Sequence, residues 1–392
     1  MDSFEINYID QQAGLRQAVH TLEQARAIAV DSESNSLYVY YEKVCLLQLS
    51  SESAHFILDP LALDQKMDLL APVFSSPDIQ KVFHAAEYDI MCLKRDFGFE
   101  FANLFDTMIA ARILGKKEIG LSQLLESELG IHVDKKFQKA DWGMRPLPKD
   151  MLEYAIHDTC YLIQLRDCLQ AQLIEKGFME LATEDFNRMT KIPARANHGD
   201  CANWWQIAGN QKKLTEKQTE ILYHLCQWRE ENAIKRDLPP FKILSNNKML
   251  EISMLETTTK EELAQLFPAR SVFIKRYAES LMNAIHKDDN GKPIPQPQKH
   301  RCPSQAYLTR WDQLKSWRRE YGAKVGVGSD VILPKDIMES IVAANPRSLQ
   351  ELELLMAEVP WRFNRFGEQI LKTLHIKNHG ETDKKLVRRS EA

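Results

Sequence analysis

The sequence predicts a mixed α/β domain, a sheet covered by helices, followed by a half built from helices alone. Three observations predict it. Short apolar runs and helical stripes alternate through residues 1–190. Three strand-like runs succeed one another early, at 27–33, Val44–Leu49 and His55–Asp59, with the short links of an antiparallel meander. From Thr215 onward, helical patterns dominate. The 392 residues suffice for two or three domains, and 44% apolar with 27% charged residues is ordinary for a globular protein. A net charge of −4 excludes a grip on nucleic acid by bulk positive charge, but leaves a local basic groove open.

In chain order, Phe4–Ile9 alternates as a strand, and Asp10 is placed to cap a helix over Gln11–Ala25. Ala27-Ile28-Ala29-Val30 is a buried strand that ends in Asp31-Ser32-Glu33. Side chains alternate along a strand, so Asp31 and Glu33 face the same side. Two acids side by side repel unless a cation lies between them, which is the pattern of a hard divalent metal site. An acidic surface loop would show the same D-x-E, so the pair needs company. A helix is expected over Leu63–Phe74, a strand over Lys81–His84 and a helix over Ala86–Phe97. Asp89 falls on that helix's apolar stripe of Ala86, Ile90, Leu93 and Phe97. An inward carboxylate needs a partner, either a basic side chain or a metal.

Asp106 reads as the N-cap of a helix over Thr107–Leu114, and Gly130 closes a helix over Leu121–Leu129. Basic and aromatic residues interleave over Asp134–Pro146, as in a phosphate-and-base contact surface, although a solvated loop has the same composition. One long helix is expected over Lys149–Leu173, with Met151, Tyr154, Ala155, Asp158, Leu162 and Leu165 on one face. Tyr154 and Asp158 then sit one turn apart, facing inward. Three separate elements thus bring acids inward, which suggests convergence on one cation site.

These residues match a known pattern. Val30-Asp31-Ser32-Glu33, His84-Ala85-Ala86-Glu87-Tyr88-Asp89 and Tyr154-Ala155-Ile156-His157-Asp158 resemble the three motifs of the DEDDy 3′–5′ exonucleases. Phe105-Asp106-Thr107 and Asp141-Trp142 with Arg145-Pro146-Leu147 narrow the resemblance to the ribonuclease D family. The resemblance implies a ribonuclease H-like exonuclease fold. It implies two-metal phosphodiester hydrolysis with Mg²⁺ or Mn²⁺, releasing 5′-mononucleotides from RNA 3′ ends, as in tRNA 3′ maturation or RNA turnover. By motif position, Asp31, Glu33 and Asp158 hold one ion, Asp31 bridges to a second that Asp89 supports, and Tyr154 orients the attacking water. One departure stands out. An aromatic residue commonly follows the Glu of the first motif in this family, and here it is Ser34. Tyr38, Tyr40 and Tyr41 are candidates to compensate, with core packing as their alternative. His84 reads equally as a substrate contact or a core histidine.

The helical half resembles HRDC domains, most specifically at Trp228-Arg229 and Pro239-Pro240-Phe241-Lys242-Ile243-Leu244. Trp317-Arg318 and Val331-Ile332-Leu333-Pro334 echo both in a second, diverged copy. The expected division is an exonuclease domain over 1–190, a linker over 191–213 and an HRDC domain over 214–288. A linker over 289–303, a second HRDC-like domain over 304–376 and a disordered tail over 377–392 complete it. HRDC domains imply nucleic-acid contact, for which Lys235, Arg236, Lys242 and Lys248 are candidates. Seven dispersed cysteines without a C-x-x-C pair suggest reduced thiols in a cytoplasmic protein. No signal peptide and no membrane-spanning run is read. A monomer acting on RNA with a free 3′ end is expected. The same acids would serve a 3′–5′ DNA exonuclease, and a non-catalytic nucleic-acid-binding protein could retain the fold.

Overall fold

The structure is a computed structural model that describes residues 4–133, 136–194, 201–207, 209, 214–255, 259–287, 294 and 303–375. Its first part is built on six strands: β1 (Ile6–Ile9), β2 (Ala27–Ser34), β3 (Val44–Ser50), β4 (His55–Leu58), β5 (Gln80–Phe83) and β6 (Leu104–Asp106). They form one sheet in the order β1-β4-β3-β2-β5-β6. The expected meander is present, because β2–β3 and β3–β4 are antiparallel. The other three pairs, β1–β4, β2–β5 and β5–β6, are parallel. Every residue of β3 is buried, so helices cover this strand on both faces.

Eight helices surround the sheet: α1 (Gln12–Leu22), α2 (Ala71–Ser75), α3 (Glu87–Phe97), α4 (Thr107–Ile113), α5 (Leu121–Leu129), α6 (Lys149–Cys160), α7 (Leu162–Glu175) and α8 (Met179–Thr190). Three departures from expectation have local causes. Helix α1 ends at Leu22, and Gln11 rather than Asp10 stands at its cap, without a side-chain bond. Over Leu63–Phe74 the chain turns instead of coiling. Asp64 and Gln65 take left-handed φ values of 54° and 58°, and regular helix resumes only at Ala71. The long helix breaks at Tyr161, whose φ of −105° separates α6 from α7. The break redirects the apolar stripe. Met151, Ala155 and Ile156 pack with Leu46 and Ile57 on one side of the sheet, while Leu162, Leu165, Leu169 and Leu173 join the main core. Leu162 and Leu165 therefore do not share the face of Tyr154 and Asp158.

The helical half forms two bundles with separate cores. One holds α9 (Glu216–Arg236), α10 (Pro240–Ile243), α11 (Asn246–Leu255), α12 (Lys260–Gln265) and α13 (Val272–Ile285). The other holds α14 (Gln305–Val325), α15 (Ser329–Ile332), α16 (Lys335–Ala344), α17 (Leu349–Leu355) and α18 (Pro360–Leu374). The Trp-Arg echo has a structural meaning. Arg229 donates to the Leu244 carbonyl at 3.2 Å, and Arg318 donates to the Leu333 carbonyl at 2.9 Å, each 15 residues downstream. Both arginines tie the first helix of a bundle to the end of the short helix that follows it.

Most of the expected linker over 289–303 and all of the expected tail over 377–392 lie outside the described residues. Within the first linker, Cys201–Ile207 is a 3₁₀ helix, not extended chain, and Trp204 is buried in the first bundle. This packing brings Cys201 to Cys226 of α9, with Cα atoms 6.0 Å apart, and the two form a disulfide. That corrects the expectation of reduced thiols throughout. A separation of 25 residues gave the sequence no pairing signal. Cys45, Cys92, Cys160 and Cys168 are outside any disulfide.

A large buried side chain helps fasten each bundle to the sheet domain. Tyr40, from the β2–β3 loop, is 1% exposed inside the core of the first bundle. Its backbone N–H donates to Asp237 at 3.0 Å and its hydroxyl donates to Glu230 at 2.7 Å. In the opposite sense, Arg362 of α18 is fully buried against α8, donating to Glu184 at 2.9 Å and Asp185 at 2.8 Å. Among the described residues no helix is long and apolar enough to cross a membrane.

Candidate active site

Strand β2 carries Asp31 and Glu33 to its end, where the register pairs them with Gln48 and Leu46 of β3. Helix α6 lies over this face and brings Asp158 to them. Carboxylate oxygens of Asp31, Glu33 and Asp158 lie within 4.8 Å of one another. Asp89 enters from α3. It is 7% exposed and accepts a short hydrogen bond from the Ser32 hydroxyl. These four acids and Tyr154 all line one cavity of about 400 Å³. The structure thus brings together all five residues singled out from the sequence, with Asp89 one step outside the tight trio.

The electrostatics of the trio are those of acids lacking a counter-charge. Burial first, then Asp89, Asp158 and Glu33, hold the Asp31 carboxyl well above the carboxylate range. Burial, Asp158 and Asp89 push Glu33 up to about 9. Burial raises Asp158 to about 7, with help from Asp89, and burial raises Asp89 to about 7 against the pull of Ser32. Oxygen-only donors crowded in this way fit hard divalent cations, whose charge would let all the carboxylates ionise together.

The frame of the cavity is built from caps and turns. Asp106 caps α4 by accepting from the N–H groups of Met108 and Ile109 at 2.8 and 3.1 Å. It also accepts from Ala85 and Ala86 at 3.2 and 2.8 Å, which holds Ala85 at a left-handed φ of 62°. That strained turn leads directly into α3 and so fixes where Asp89 starts. His84 lies just before the turn. Its Nδ1 is 2.9 Å from the Thr107 hydroxyl, and burial lowers its pKa, so the ring is both anchored and part of the cavity wall.

The aromatic-rich stretch after Val133 divides in two. Asp134 and Lys135 lie outside the described residues. Trp142 is 1% exposed and stacks on Tyr154 with ring centres 6.2 Å apart, while Phe137 meets Tyr154 edge-on. Arg145 is consumed by Asp59, with bonds of 2.6 and 2.7 Å. Phe137 and Trp142 thus brace the tyrosine, and Arg145 serves Asp59, while Lys136 and Lys139 of the same stretch are exposed. Among the described residues of the stretch, Gln138 lines the cavity.

None of the three tyrosines offered in place of an aromatic at Ser34 lines the cavity. Tyr40 is inside the first bundle. Tyr38 donates to the Lys139 carbonyl at 2.6 Å and lies under the Lys242 ammonium, 4.4 Å from its ring centre. Tyr41 stands exposed against the edge of Tyr40. The aromatic wall is instead Tyr88, which sequence reasoning missed although it directly precedes Asp89. Its hydroxyl lies 3.1 Å from that of Ser34 and donates to Glu42 at 3.0 Å. Of the basic candidates in the first bundle, only Lys242 reaches the sheet domain. Lys248 pairs with Glu251, and Arg236 lies over Tyr277.

Comparisons with known proteins agree with this geometry. A family model described as 3′–5′ exonuclease matches residues 6–174, the stretch that supplies all four acids and Tyr154. The HRDC domain model matches twice, at residues 218–285 and 308–374. The sheet domain is therefore a 3′–5′ exonuclease domain of the metal-dependent kind. The chain is 28% identical over 309 residues to the exosome complex exonuclease RRP6 of Saccharomyces cerevisiae, covering 74% of this chain and 42% of that protein. It superposes on the catalytic core of RRP6 from Trypanosoma brucei with a TM-score of 0.65 and 28% identity, covering 72% of this chain and 79% of that one. It shares its fold with Escherichia coli RNase D at a TM-score of 0.66 and 21% identity, over 95% of this chain and 99% of that one. Residues 6–174 belong to the 3′–5′ exonuclease domain family, and residues 218–285 and 308–374 to the HRDC domain family. The chain spans less than half the length of the curated relatives it matches.

Proposed function

We propose that this protein shortens RNA from a free 3′ end, releasing 5′-mononucleotides by two-metal-ion hydrolysis, with tRNA precursors among its substrates. The observation that carries this reading is the trio Asp31, Glu33 and Asp158, whose oxygens crowd within 4.8 Å and whose carboxyls are raised by burial, by one another and by Asp89. Asp31, Glu33 and Asp158 would hold the ions, with Asp89, kept in place by Ser32, as support. When bound, two Mg²⁺ or Mn²⁺ ions supply charge stabilisation to the attacking and leaving oxygens of the phosphodiester. Tyr154, braced by Phe137 and Trp142, orients the attacking water through its hydroxyl. Tyr88 and His84 form walls against which the terminal nucleotide rests. Lys242, leaning over Tyr38 from the first HRDC domain, is placed to meet the RNA backbone as it leaves the cavity.

The domains behind this reading extend over 1–190, 214–288 and 304–376. The protein acts as a monomer in the cytoplasm. The test uses a 5′-labelled unstructured RNA and a matched DNA. Asp31→Ala and Asp158→Ala should each lower Mg²⁺-dependent shortening of the RNA by about 1000-fold or more, equivalent to ~4 kcal/mol of barrier. Normal trimming by both variants would refute the assignment, and preference for the DNA strand would replace the substrate.

A further inference from the structure

Gln48 is a fully buried amide whose Oε1 and Nε2 both lack a hydrogen-bond partner. Leaving a buried polar atom unpaired is costly, and here there are two. The surroundings would accept an apolar side chain. On the same strand face Leu46 is fully buried, and Ile57, the cross-strand neighbour in β4, is too. The position of the amide supplies a reason for keeping it.

Gln48 is the cross-strand partner of Asp31. Side chains directly opposite in an antiparallel pair share one face, with Cβ atoms roughly 5 Å apart. Two residues along, the Ser50 hydroxyl meets that of Thr159 on α6 at 2.8 Å, so this is the face that α6 covers and that carries Asp158. The helix that covers this face contributes Ala155 to the same apolar layer as Leu46 and Ile57. An amide with two unused polar ends thus lies directly across the ladder from Asp31 of the acidic trio, and it is not among the residues that line the cavity.

We propose that Gln48 is a positioning residue for Asp31. Through one internal water its amide N–H groups hold the outer side of the Asp31 carboxylate, which would leave the inner oxygens free for a bound cation. The inference rests on the metal-site reading above and concerns only how this chain presents Asp31. It explains why an apolar layer retains an amide: outer partners of ligating carboxylates fix their orientation, and losing one typically lowers metal affinity about 10- to 100-fold. Stability and function then pull in opposite directions at this position.

The test compares the full chain with Gln48→Met, which keeps the length of the side chain and removes both polar ends. Mn²⁺ binding to metal-free protein is measured by calorimetry, thermal unfolding is followed without metal, and RNA shortening is assayed across a Mn²⁺ titration. The expected result is an unchanged or higher melting temperature without metal, Mn²⁺ affinity lower by about tenfold, and a matching rise in the Mn²⁺ needed for half-maximal shortening. A purely structural amide would move the melting temperature and leave Mn²⁺ affinity as it was, and that result overturns the proposal. Should Gln48→Met not fold, Gln48→Leu is read by the same criteria. Asp31→Ala separates the two levels. If wild type binds Mn²⁺, Asp31→Ala does not, and Gln48→Met matches wild type, only the role of Gln48 falls. If Asp31→Ala binds Mn²⁺ as wild type does, the metal-site reading falls and takes this inference with it.

Discussion

Two acidic sites on the same sheet, Asp59 just past β4 and the trio headed by Asp31 on β2, show opposite ways to bury a carboxylate. Asp59 is 1% exposed and fully supplied. Arg145 donates two bonds to it, Tyr8 donates one and the Ala62 N–H another at 3.1 Å. Burial alone would raise its pKa, but these donors outweigh burial and hold it below the usual carboxylate range. Asp31 has only the Ser32 backbone N–H against its burial and its acidic neighbours, Glu33 and Asp158 are raised by burial and nearby acids, and all three lie above the usual range. The first site is complete within the polypeptide. The second becomes favourable only when a cation arrives, and that incompleteness separates a ligand site from an internal staple.

The contrast breaks most sharply at Arg145. Arg145→Ala would leave Asp59 buried and unpaired, and should lower stability by about 3–5 kcal/mol in denaturant unfolding, with or without metal. A loss below about 1 kcal/mol would mean that water reaches Asp59 readily and that the two sites differ less than their geometry implies.

pH separates the two sites next. Asp59 has a lowered pKa in the fold, so its stabilisation is present above its unfolded value and is lost as pH falls through the folded one. The acids of the active site have raised values, so the folded chain holds more protons than the unfolded chain. Their contribution is complete below the unfolded carboxylate range and is lost as pH climbs through about 7 for Asp89 and Asp158 and about 9 for Glu33. Metal-free protein should therefore be less stable at alkaline pH, by on the order of 3 kcal/mol across this window, and Mn²⁺ should restore the loss. Melting curves in chelator and in Mn²⁺ between pH 5 and pH 9 supply the check, and parallel curves would contradict it. The smallest effect is expected at Tyr8→Phe. It removes one donor from Asp59 and leaves Arg145, and should cost about 1.5 kcal/mol in denaturant midpoint measurements without altering Mn²⁺ binding.

The acids were legible from sequence because strand alternation and helical spacing fix which side a residue faces before any contact is known. Asp31 and Glu33 differ by two on a strand, Tyr154 and Asp158 by four on a helix, and Asp106 could be read as a cap from its place before Thr107. What escaped was decided by partners distant in sequence. Arg145 and Trp142 look solvent-facing until Asp59 and Tyr154 meet them. Gln48 sits in an apolar run that reads simply as core. The break at Tyr161 leaves the apolar stripe intact on paper, because both helices are amphipathic and only their direction changes. Tyr40 looked like one of three interchangeable loop tyrosines, and nothing local shows that it enters another domain.

Tyr40 also has a practical consequence. A fragment cut after the exonuclease domain would leave this ring, otherwise shut away, bare on a loop seven residues beyond Glu33, inviting self-association and loosening the chain beside the acids. Anyone preparing such a fragment should exchange Tyr40 for a small polar residue first. Without that change, a weak nuclease in isolation would say little about the intact molecule.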